Sequence, residues 1–121
     1  MENDNKKYKF NQMIAKDVGF EEAVMLSSLY FWIQLNEKKQ QNYHQDKYWT
    51  YNTIRFFTEL YPFWTSSQIR RILTNLKNKD YIETGSFNKK GFDKTKWYTV
   101  TDKTLAYLEN DEASAEKDIL F

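Results

Sequence analysis

Residues 65–79, TSSQIRRILTNLKNK, hold the densest set of groups able to recognise another molecule. Wound at about 100° per residue, Ile69, Ile72, Leu73 and Leu76 fall at i, i+3, i+4 and i+7 and form one narrow apolar stripe. The opposite face carries Ser67, Arg71, Thr74 and Asn78, with Arg70 and Lys77 on one flank. Arginine can bond O6 and N7 of guanine with both arms of its fork, and Ser, Thr and Asn can reach base edges or phosphates. A helix that reads bases does so mainly with its N-terminal half. Ser66, Ser67, Gln68, Arg70, Arg71 and Thr74 are therefore the candidate contacts, with Asn78 further along. An ordinary solvated helix face is the plain alternative.

A second cluster lies in NKKGFDKTK, residues 88–96. Lys89, Lys90, Lys94 and Lys96 gather there around Gly91, which lets the chain turn sharply. A basic loop beside a duplex would lie along phosphate or enter the minor groove. Asp93 is expected to orient the turn, and Phe92 to be exposed at its tip. A solubilising loop is the alternative.

The charge distribution agrees with these two clusters. Net charge is only +1, yet residues 65–100 carry eight basic side chains against three acidic ones. Residues 1–64 balance at eight of each, and residues 101–121 carry two basic and six acidic groups. A positive block followed by an acidic tail is a polarised surface.

These clusters need elements to hold them. Thr65 and Gln68 have capping-box spacing, and Trp64 and Ile69 have staple spacing, so a helix starts there and ends near Lys79. Before it, Phe20 to about Asn36 reads as a helix apolar nearly all round, hence central and buried. Glu37 to Lys47 reads as a polar loop, and Lys47 to Thr50 as a short aromatic strand. Thr50 is expected to cap a helix running to about Tyr61, with Trp49 and Ile54 as its staple, and Pro62 to end it. Strands follow at about Tyr81–Phe87 and Lys96–Val100, with the basic loop between them. Thr101 or Asp102 can cap a last helix to about Leu108. Two helices joined by a tight turn, then a hairpin, give a mainly α fold with a small β-hairpin (α+β), a winged helix-turn-helix. Residues 1–18 are read as an N-terminal arm, 19–109 as the domain, and 110–121 as an acidic tail or the start of a linker.

Catalysis finds little support. There is no Cys, so disulfides, thiolate zinc sites and Cys nucleophiles are excluded. His44, the sole histidine, lies in a polar stretch and is expected to be solvated; a metal site needs several such ligands. No Ser–His arrangement, paired carboxylate or Gly-rich phosphate loop stands out. The chain is expected not to be an enzyme, and to use no cofactor and no small-molecule substrate. The N-terminus lacks the apolar run of a signal peptide, and the longest apolar run, Leu29 to Ile33, cannot span a bilayer. A cytoplasmic protein without membrane contact is expected. Trp49, Tyr51, Phe56, Phe57, Phe63, Trp64, Trp97 and Tyr98 could stack on bases, but their positions at strands and helix starts favour the core.

The stretches KYWTYNT, YPFWTSSQIRRILTNL and NKKGFDKTKWYTV carry a resemblance. Together they resemble the N-terminal winged-helix domain of replication initiator or replisome-organiser proteins of phages and plasmids from low-GC Gram-positive bacteria, the DnaD-like group. The resemblance spans roughly Gly19 to Leu108. It implies binding of double-stranded DNA at a replication origin, through Ser67, Arg70, Arg71 and Thr74 on the helix and Lys89, Lys90 and Lys94 on the wing. It also implies a separate C-terminal region that engages single-stranded DNA or recruits a helicase loader, which makes this sequence either a fragment or a short stand-alone relative. Asp111–Asp118 would then begin the linker. Such domains also oligomerise, so a dimer of this chain or a replisome protein is a further expected partner. A transcriptional regulator using the same face, or a protein–protein module built on the apolar run Ile119–Phe121, are the alternatives.

Overall fold

The computed structural model of the chain describes residues 5–93 and 95–109. In chain order they form α1 (Gln12–Val18), α2 (Phe20–Lys39), β1 (Tyr43–His44), β2 (Lys47–Tyr48), β3 (Thr50–Asn52), α3 (Ile54–Leu60), α4 (Ser66–Asn78), β4 (Ile82–Gly85) and β5 (Lys96–Val100). A helix over residues 102–109, α5, follows. The fold is α+β: α3, a tight turn and α4 make a helix-turn-helix, and β4 and β5 form the wing after it.

The centre is α2. Ala23, Val24, Met25, Leu26 and Leu29 are all buried. Successive residues point to different sides of a helix, so their joint burial means that α2 is covered all round along residues 22–29. It packs against α1, α4 and the strands. In front of it, α1 occupies part of the expected arm. Asn11 caps α1 by accepting the Ile14 N–H at 2.9 Å, and Ile14 is the one buried residue of this seven-residue helix. A single anchor leaves no periodicity, which is why sequence patterning does not reveal α1.

The helix-turn-helix differs from expectation at its first helix. Thr53, not Thr50, caps α3, accepting the Phe56 N–H at 3.1 Å. Thr50 is buried in β3 opposite Tyr98 of β5. Pairing with the sheet thus holds residues 50–52 extended and moves the helix start three residues on, which also removes Trp49 and Ile54 from staple positions. The α4 signals are realised as read. The Gln68 N–H donates to Thr65 Oγ1 at 3.2 Å, and the Thr65 N–H donates back to Gln68 Oε1 at 2.8 Å. Ile69, Ile72, Leu73 and Leu76 are buried. At the other end Asp80 takes a left-handed conformation (φ 64°), and the Tyr81 N–H reaches back to the Leu76 carbonyl at 2.9 Å, closing the helix as a Schellman motif does.

The main sheet has the order β3-β5-β4, all antiparallel. β1 and β2 form a separate hairpin, β1 within the expected loop and β2 at the start of the expected strand. Its turn residues Gln45 and Asp46 have φ of 51° and 63°, as a type I′ turn requires, but they lack the Asn-Gly or Asp-Gly signature of that turn. His44 is consequently packed rather than solvated. Its ring stacks on Phe87 at 4.4 Å and meets Trp97 edge-on at 5.1 Å. Gly85 sits beneath this aromatic layer, where a Cβ would lie 2.9 Å from the Phe87 ring and 3.2 Å from Trp49. Asn36 of α2 joins the hairpin to the core by donating to the Trp49 carbonyl at 2.8 Å.

α5 starts at Thr101, whose Oγ1 accepts the Thr104 N–H at 3.4 Å. Thr104 Oγ1 in turn donates to the Tyr81 carbonyl at 2.6 Å. Tyr81 is a hub. Its hydroxyl donates to Asp17 of α1, and Lys79 and Lys103 lie 3.6 and 3.7 Å from the same carboxylate. The Tyr81 hydrogen bond, helped by the two lysines, holds the Asp17 carboxyl below the usual range.

Burial pushes the phenols of Tyr61, Tyr81 and Tyr98 above the ordinary value of 10.0, and that of Tyr98 up to about 12. The native state therefore favours the neutral phenols, whereas the unfolded chain ionises them near pH 10. Their stabilising contribution is complete below pH 10 and is lost as pH rises from there through the folded values. Urea unfolding is expected to give the same midpoint at about pH 7 and pH 9 and a lower one at about pH 11. An unchanged midpoint at the highest pH would show that these phenols are not buried.

Candidate nucleic-acid interface

Packing divides α4 into three faces. Ile69, Ile72, Leu73 and Leu76 face the core. One flank is tied to α2: Arg71 Nη2 donates to Glu21 Oε1 at 2.8 Å, and Asn75 Nδ2 donates to Glu22 Oε2 at 2.9 Å. The other flank opens on a groove of about 590 Å³. Arg70, Thr74 and Lys77 line it from α4, Lys96 and Thr95 from the wing base, and Asn52 and Thr53 from the start of α3. The pairing of Asn52 with Lys96 across β3 and β5 fixes two walls relative to each other.

Arg70, Arg71, Thr74 and Asn78 are exposed on α4, as is Ser67, and Ser66 is half-buried in the first turn. Arg70 and Thr74 meet Lys96 in the groove. Gln68 is committed to the cap through its amide oxygen. Arg71 is held by Glu21 and stands on the far flank from the groove. The pair is solvated, with side chains 53% and 36% exposed, so it contributes at most about 1 kcal/mol and can exchange partners.

The wing is organised by side chains. Asn88 Nδ2 donates to the Asp93 and Thr95 carbonyls at 2.9 and 2.8 Å, while Asn88 Oδ1 accepts from Trp97 Nε1 at 2.8 Å. Asp93 orients the turn by accepting the Thr95 N–H at 3.0 Å, a bond that holds its carboxyl below the usual range. Lys89 and Lys90 project into solvent, and Lys90 Nζ lies 5.7 Å from the Phe92 ring centre. Phe92 is 79% exposed. Lys94, expected on the wing, lies outside the described residues.

Lys77, Asn52, Thr53, Thr84 and Thr95 join the groove without having been singled out as contacts. Lys77 had a signal, since it shares the Arg70 flank of the helix wheel. The others are set by strand pairing and had none. Of the aromatic side chains, Trp49, Phe57, Trp64, Trp97 and Tyr98 are in the core, but Tyr51, Phe56 and Phe63 are exposed. Among the described residues no cluster of three or more His, Asp or Glu could hold a metal ion. Among the same residues no helix is long and apolar enough to cross a membrane.

No protein-family model matches the chain, and comparison with curated proteins gives no match. The fold is similar to a solved structure described as "N-Terminal domain of DNA binding protein", with a TM-score of 0.57 and 13% sequence identity over 92% of this chain and 89% of that one.

Proposed function

We propose that the chain is a non-catalytic module that binds double-stranded DNA, with α4 in the major groove and the wing along the backbone. The observation that carries this reading is the groove in which Arg70 and Lys77 of α4 meet Lys96 of the wing beside Thr74. Three cations on two rigid elements match the repeating charge of a phosphate backbone. The exposed Ser67, Thr74 and Asn78 leave hydrogen-bonding groups for base edges. The fold's likeness to a domain of a DNA-binding protein supports the same reading. The finer reading is origin recognition in replication initiation of phage or plasmid type, in the cytoplasm. It rests on the sequence resemblance.

Fluorescence anisotropy with labelled duplex at about 50 and 200 mM salt tests the proposal. Binding that weakens steeply with salt supports it; binding absent at both salts, for random duplex and for a library selected for sites, overturns it. A second reading, self-association, is favoured by Phe10, Met13 and Phe20, which stand exposed on the α1–α2 side. Sedimentation that shows a dimer without DNA affinity would select it.

The Glu21–Arg71 pair gives a further expectation. Glu21→Gln removes a negative charge and frees the guanidinium for phosphate. Duplex affinity is expected to rise by about two- to fivefold, in line with the worth of a solvated pair, with little change in Tm. An unchanged affinity would place Arg71 off the DNA.

A further inference from the structure

A second cavity, of about 460 Å³, lies between the N-terminal arm, α2 and the end of α3. It shares no lining residue with the groove of α4. Its walls are apolar: Tyr8, Phe31, Trp32 and Leu60. Phe31 is 56% exposed at its mouth, edge-on to Trp32 at 5.4 Å. The arm is fixed there by Tyr8, whose hydroxyl donates to the Leu60 carbonyl at 3.1 Å. Lys6, Lys7 and Lys9 complete the rim, and among the described residues no carboxylate pairs with them.

The Tyr61 hydroxyl is the unusual feature. Tyr61 is only 1% exposed and lines the cavity, yet its hydroxyl makes no hydrogen bond. Ser28 and Trp32 stand near it without closing one. Burying a polar group without a partner is unfavourable, so its retention points to a partner that arrives from the cavity.

We propose that the cavity is a docking site for the acidic-then-apolar segment at residues 116–121 of this same chain, EKDILF. The segment offers what the site lacks. Ile119, Leu120 and Phe121 are apolar side chains of a size to fill an aromatic cleft. Asp111, Glu112, Glu116 and Asp118 supply negative charge, against Lys117 alone, for the three lysines of the rim. A main-chain carbonyl of an extended segment can accept from the Tyr61 hydroxyl. The ten residues from 109 to 119 reach about 33–36 Å when extended. That is comparable with the width of a domain of this size, whose radius of gyration is about 13 Å.

The test compares the full chain with its Ile119→Asp, Phe121→Asp variant, whose changes lie outside the described residues. Amide and indole N–H chemical shifts are expected to move at Ser28, Phe31, Trp32 and Leu60 and to stay fixed along α4. Charge reversal at Lys6, Lys7 and Lys9, all exposed, is expected to return the amides of residues 116–121 to random-coil positions. Both effects should be independent of protein concentration. Three outcomes would overturn the proposal. Unmoved shifts around Trp32 would leave the cavity without this occupant. Shifts that vanish on dilution together with a dimer mass would assign the cavity to a second copy. Oligothymidylate that perturbs Phe31 and Trp32, with no effect of the tail substitutions, would assign it to single-stranded nucleic acid.

Discussion

Combined Arg70→Ala, Lys77→Ala and Lys96→Ala substitution is expected to abolish measurable duplex binding at about 200 mM salt while leaving the fold intact. Each cation that neutralises a phosphate contributes about 0.9 to the slope of log K against log salt, so removing three should lower that slope by nearly 3. All three side chains are exposed, and none of them forms an ion pair among the described residues. Their loss should therefore leave the unfolding midpoint almost unchanged. Duplex titrations across a salt series, with thermal melts beside them, check both halves. Weaker binding with an unchanged slope would mean that the groove does not lie against phosphate. The control is Lys38→Ala with Lys39→Ala, on the last turn of α2 and outside the groove. It should cost far less affinity.

The second large effect is structural. Phe57→Ala is expected to destabilise the domain by about 3–5 kcal/mol, the range for a fully buried aromatic truncated in a core. Phe57 is 0% exposed and touches the rings of Tyr61 and Tyr98 at 6.2 and 5.8 Å. It is also the one fully buried anchor of α3, which has only seven residues. A helix so short does not persist without packing, so removing the ring releases the first helix of the helix-turn-helix from α4 and from β5. A loss of this size lowers Tm by roughly 12 °C or more in a domain of this length, and calorimetry would read it directly. A shift of only a few degrees would mean that the core closes over the missing ring and that α3 is held by other contacts.

The two predictions probe different depths of the same arrangement. The cations act through charges left in solvent, so their removal should separate binding from stability. Phe57 acts through the packing that puts α3 beside α4, so its removal should lower both. If the cation variant also melted early, Arg70, Lys77 or Lys96 would have a packing role that their exposure does not indicate. The capping box of α4 belongs to the second class. It fixes where the helix begins, and hence which residues stand in its first turn, at the cost that Gln68 is no longer free to recognise anything through its amide oxygen.

The sequence by itself determined the parts whose cause is local. Thr65 and Gln68 start α4 because their side chains reach backbone groups three residues away. The 3.6-residue period of Ile69, Ile72, Leu73 and Leu76 decides which way that helix faces, and hence that Ser67, Thr74 and Asn78 face out. β5 spans Lys96–Val100 as its aromatic and β-branched residues imply. Asp93 turns the wing through a bond to a residue two positions on. Only the tertiary structure decided the rest, because its causes are distant in the chain. Pairing with β5 keeps Thr50 extended and passes the cap of α3 to Thr53. Packing against Phe87 and Trp97 half-buries a histidine that its polar neighbours placed in solvent. Glu21 meets Arg71 across fifty residues and turns it from the groove, and strand register sets Asn52 beside Lys96 in the groove's lining. A contact between side chains so far apart depends on how whole elements pack, and no window of neighbouring residues contains that information.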